Sequence, residues 1–103
     1  MEPGYISYRV TSNDVQEYGK GLLCCTKEMA IEYRRKENIA EELGRRIESQ
    51  FPGVHFLGEQ FCCPYIAIPK NEEDGLVKEI SKIFTVTLEQ ISILSMDDLL
   101  EFY

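Results

Sequence analysis

No run of apolar residues in this 103-residue chain approaches the ~18 needed to cross a bilayer, so the sequence predicts no membrane-spanning segment. The opening Met1-Glu2-Pro3-Gly4 lacks the basic stretch and apolar core of a secretory signal, which leads us to expect a soluble, cytoplasmic protein. Repeats, low-complexity tracts and linker-like stretches are also missing, so residues 1–103 read as one domain. With 44% hydrophobic residues the chain is too apolar for a disordered segment and has room for one core. No Walker phosphate loop, dinucleotide-binding glycine fingerprint, zinc-protease histidine pair or nucleophile-elbow serine is present. The sequence therefore implies no cofactor, and an enzymatic role has no motif to stand on.

The four cysteines form two adjacent pairs, Cys24-Cys25 and Cys62-Cys63. Zinc sites draw thiolates from positions two to four residues apart, which neither pair offers. Both pairs sit among apolar residues, where free cysteine behaves as a small hydrophobe. Reduced structural thiols, and hence a reducing compartment, are the expectation.

Positive charge is scarce in the second half. Residues 1–51 hold nine acids and eight bases, a net of −1, whereas residues 52–103 hold nine acids and three bases, a net of −6. An overall charge of −7 argues against direct contact with nucleic acid over any extended surface.

Against these absences stands a clear pattern of elements. Tyr5–Val10 alternates as a strand, with Ile6, Tyr8 and Val10 on one side. Lys20–Cys25 is a second candidate strand, equally compatible with helix. Thr26 offers an N-cap oxygen to a long helix running from Lys27 to about Phe51, with Met29, Tyr33, Ala40, Leu43, Ile47 and Phe51 as its apolar stripe and Pro52-Gly53 as its stop. Glu32 with Lys36, Glu41 with Arg45 and Glu42 with Arg46 are acid-before-base pairs four apart on that helix.

Val54–Leu57 and Phe61–Ile68 read as a hairpin joined at Gly58-Glu59, with Pro64 marking an edge or a bulge. Asn71 is placed to cap a second helix whose apolar face is Leu76, Val77, Ile80, Ile83 and Phe84. A strand to about Ser95 follows, and Ser95 caps a short C-terminal helix over Met96–Tyr103. This order predicts an α+β two-layer sandwich, a mainly antiparallel sheet with two helices on one face, of which the ferredoxin-like βαββαβ plait is the simplest form. That fold hosts many functions and selects none.

Three sets of residues are candidates for function. The acids Glu72, Glu73, Asp74, Asp97, Asp98 and Glu101 lie in the first turns or body of the two later helices and form a candidate partner-binding surface, although helix first turns attract carboxylates for electrostatic reasons alone. Arg34, Arg35, Arg45 and Arg46 repeat on one helical face and form a secondary basic stripe, which Glu41 and Glu42 partly neutralise. His55, the only histidine, would come near Cys62 or Cys63 if the hairpin forms as drawn, which is the one arrangement here that could support cysteine-dependent catalysis or redox chemistry.

The leading expectation is a non-enzymatic interaction module whose acidic half meets a protein partner with a basic surface. Its pointed form is an inhibitor that occupies the groove of a nucleic-acid-binding protein, and its milder forms are a regulatory adaptor or a self-associating homodimer. The alternatives are the small thiol enzyme and a small-ligand regulatory domain, for which no specific pocket can be read.

Overall fold

The computed structural model describes residues 4–18, 26–95 and 97–98. The candidate strand over 20–25, Cys24 and Cys25, and the greater part of the expected C-terminal helix, including Glu101, lie outside the described residues.

Strand β1 (Tyr5–Thr11) leads to helix α1 (Lys27–Gln50), then to strands β2 (His55–Gln60) and β3 (Cys63–Pro69), helix α2 (Glu73–Phe84) and strand β4 (Thr87–Leu94). The sheet runs in the order β2-β3-β1-β4 with every neighbouring pair antiparallel. This is the βαββαβ plait expected from the order of elements. No described helix is long and apolar enough to cross a membrane.

Both helices cover the same face. Ile6, Tyr8 and Val10 of β1 and Ile66 and Ile68 of β3 meet Ile47 of α1 and Ile80 of α2 in one buried cluster, which Phe51 and Phe84 close where the helices touch. The alternation of β1 therefore sends Tyr5, Ser7 and Arg9 to the face that no described helix covers. There Arg9 bonds Glu17 on one side and Glu89 of β4 on the other.

The α1 start follows the sequence expectation: Thr26 Oγ1 accepts the Met29 N–H at 3.1 Å. The α2 start does not. Asn71 falls inside a single 3-10 turn, Lys70–Glu72, and α2 begins at Glu73 without a side-chain cap. Ile83, read as part of the apolar face of α2, is 47% exposed and points away from the core.

The β2–β3 hairpin differs most from expectation. Its turn is Phe61-Cys62, not Gly58-Glu59. Both turn residues have positive φ, 51° and 69°, as a two-residue hairpin turn of the primed type requires. Gly58 instead sits in a bulge at φ 124°, between the pairs Phe56↔Ile66 and Gly58↔Tyr65, so that Leu57 has no partner. Tertiary contacts hold this glycine-free turn. Glu59 Oε2 accepts the Cys62 N–H at 2.8 Å, Tyr18 N–H donates to the Phe61 carbonyl at 2.9 Å, and the Cys62 thiol donates to the Tyr33 carbonyl at 3.7 Å. Pro64 fits because β1 pairs with β3 only from Tyr65 onward, which leaves β3 locally an edge at the proline.

Candidate functional site

The register sets the acidic residues in space. Tyr5 pairs with Pro69 on one side and with Leu94 on the other, so β3 and β4 end level with each other, two strand spacings or about 10 Å apart. Glu72, Glu73 and Asp74 follow three to five residues after Pro69, and Asp97 and Asp98 follow three and four residues after Leu94. The two groups leave the sheet from the same end.

Asp98 is fixed there by a reciprocal capping box. Ser95 N–H donates to Asp98 Oδ2 at 3.0 Å and Asp98 N–H donates to Ser95 Oγ at 3.1 Å, which holds the Asp98 carboxyl below its ordinary range. Beneath the other group, burial pushes the Tyr8 hydroxyl up to about 12, and the carboxylates of Glu73 and Asp74 add to the effect. The remaining acids of the second half do not all join this end. Glu59 pairs with Pro64 near the hairpin tip, and Glu89 pairs with Arg9 toward the opposite end of β4.

Three of the four arginines of the basic stripe are answered by acids of their own helix. Arg35 donates twice to Glu32, at 3.1 and 2.6 Å, Arg34 lies 3.4 Å from Glu37, and Arg45 pairs with Glu41 at 3.0 Å. The Arg45 and Arg46 guanidiniums also lie over the rings of Phe56 and Phe84, at 5.5 and 5.6 Å from their centroids. These side chains cover apolar surface as much as they display charge.

His55 does not meet Cys62 or Cys63. His55 stands opposite Ala67, four residues along β3 from Cys63, a separation of about 13 Å at strand rise. A working thiol–imidazole pair needs roughly 3 Å. The His55 ring instead packs edge-on against Tyr5, with centroids 5.4 Å apart.

Cys62 and Cys63 are buried and neither is activated. Burial, assisted by the carboxylates of Glu59 and Glu37, pushes Cys62 up to about 11, and burial raises Cys63 as well. The expected cysteine-dependent site therefore lacks both its geometry and its thiolate.

The Cys62 shift has a consequence for stability. Below its ordinary value of 9.0 the thiol is neutral in both states, whereas above that pH the unfolded chain ionises and the folded one resists. Stability should fall as pH rises, by about 1 kcal/mol between pH 8 and 10, with Cys63 acting in the same direction. Urea midpoints measured across that range should show the decline, and Cys62→Ala should flatten it. An unchanged slope in that variant would show that Cys62 is not its source.

In comparisons with family models, with curated proteins and with solved structures, nothing matches this chain.

Proposed function

We propose that this chain is a non-enzymatic, cytoplasmic protein–protein interaction module that offers one acidic end of its sheet to a basic surface on another protein. The observation that carries the reading is the exit of Glu72, Glu73, Asp74, Asp97 and Asp98 from the same sheet end, on either side of Tyr5. Lys70 is the only base between Pro69 and Asp98 that lies beside these acids in sequence; Lys78 and Lys82 belong to the later turns of α2. Carboxylates gathered in this way speed encounter with a cationic partner and select it by charge. In the pointed form of the proposal the partner is a nucleic-acid-binding protein, because helix-borne carboxylates can take the positions of backbone phosphates in its groove.

The test is affinity capture from a lysate of the native host at low and high salt, followed by mass spectrometry. A partner with a basic groove, retained at low salt and shed at high salt, is the expected result. Reversing Glu72, Glu73 and Asp74 to lysine should abolish capture, whereas reversing the exposed Glu28 on α1 should leave it intact. Capture that survives the triple reversal would remove the acidic end from the interaction.

A further inference from the structure

We propose that two copies of this chain associate through β4, edge to edge and antiparallel, so that the sheet of one copy continues into the sheet of the other. Among the described residues the strand order makes β4 an outer strand, and an outer strand presents unpaired main-chain groups that proteins normally guard with charge, proline, short length or bulges.

The two edges of this sheet are guarded unequally. At the β2 edge the strand has six residues, Gly58 interrupts it, and the Phe56 N–H is taken by Glu48 Oε2 of α1 at 2.7 Å. At the β4 edge the strand has eight residues, and from Gln90 to Ser95 it carries no charge, no proline and no glycine. Its one irregularity is the register shift at Ile91. Ser92 faces inward, its N–H donating to Ser7 Oγ at 3.2 Å and its carbonyl accepting from the same hydroxyl at 3.3 Å. By strand alternation the main-chain groups of Ile93 face outward. Ile91 and Ile93 are also 48% and 62% exposed, an apolar pair on a strand that has no second neighbour among the described residues.

The occupant that fits is a second copy. A two-fold contact requires a segment complementary to itself, and Ile91-Ser92-Ile93 opposed to its own reverse meets apolar with apolar and no charge with charge. The only charged residue on the strand, Glu89, lies toward the other end and is bonded by Arg9. A two-fold axis at Ser92 sets Ile91 opposite the Ile93 of the other copy and Glu89 opposite its Ser95, well away from the other Glu89. This contact does not depend on the acidic end described above. Each copy carries −7, so salt should strengthen the association by screening the repulsion between them.

Sedimentation velocity of the full chain from about 1 to about 500 µM, at low and high salt, reads the association directly. The expected result is a monomer–dimer equilibrium shifted toward dimer by salt and by concentration, with the Ile93 amide exchanging more slowly in the dimer. Ile93→Lys should weaken it at least about tenfold. Ile31→Lys, at a site 60% exposed on α1, should leave it unchanged, and far-UV circular dichroism should show both variants folded. A chain that stays monomeric at the highest concentration in high salt, a dimer that survives Ile93→Lys, or equal loss in Ile31→Lys would each overturn the proposal.

Discussion

Replacing Ile66 by alanine is expected to lower the free energy of unfolding by about 3–4 kcal/mol, the larger part of the range for truncating a buried isoleucine. Ile66 is completely buried on β3, an interior strand, and stands between Tyr8 of β1 and Phe56 of β2 across the sheet. Above it lies the helix layer with Ile47 and Ile80, also without exposed surface. Strand neighbours on both sides and helices above leave little freedom for the surroundings to collapse into the gap, so the cavity term is added to the lost burial. A domain of this size has about 5–15 kcal/mol in hand, and the variant should therefore fold but denature at much lower urea. A loss under about 1.5 kcal/mol would mean that the sheet centre repacks, contrary to the interlocked cluster described above.

The second large effect is expected at Gly44. A glycine within a helix costs about 1 kcal/mol relative to alanine, so its presence in the middle of α1 calls for a reason. The reason is contact: a Cβ at Gly44 would overlap the Phe56 ring and come within 3.0 Å of the Pro64 Cβ. At this point α1 rests directly on the β2–β3 hairpin. Gly44→Val should cost about 3 kcal/mol and lower the melting temperature by more than about 10 °C. Gly75 of α2 is its control, because a Cβ there meets nothing within 4 Å, and Gly75→Ala should stabilise by about 0.5–1 kcal/mol. Equal responses at the two glycines would disprove the close approach.

The sequence made the helices and their order legible because those features are local. The Thr26 cap, the stripe through Ala40 and Ile47, and the stop at Pro52-Gly53 need no information from the rest of the chain. The hairpin was misread for the opposite reason. Gly58-Glu59 has the composition of a turn, and a turn there would set His55 opposite Cys62; the actual turn at Phe61-Cys62 sets it opposite Ala67. Nothing local favours positive φ at a phenylalanine and a cysteine. Burial of Cys62, its thiol bond to the Tyr33 carbonyl and the bond from Tyr18 N–H to the Phe61 carbonyl support it from outside the segment, and Glu59 adds a bond from within it. The candidate thiol site was lost with that register.

The acidic end was only half legible. Glu72–Asp74 and Asp97–Asp98 stand apart in sequence, and they share a sheet end only because β1 inserts between β3 and β4. The β4 edge was not anticipated, since the uncharged run Gln90–Ser95 looks the same whether its strand lies inside a sheet or at its border.

That insertion of β1 also bears on how the chain can be made. Ser7 and its partner Ser92 are 85 residues apart, so β1 leaves the ribosome before the other three strands of the sheet yet is flanked on both sides only once β4 has followed. At about 5–20 residues per second, Ile6, Tyr8 and Val10 wait several seconds for β3 and longer for β4. Throughout that interval a strand that ends in the interior of the finished sheet is an open edge, and shielding it during translation is a demand that this topology places on the cell.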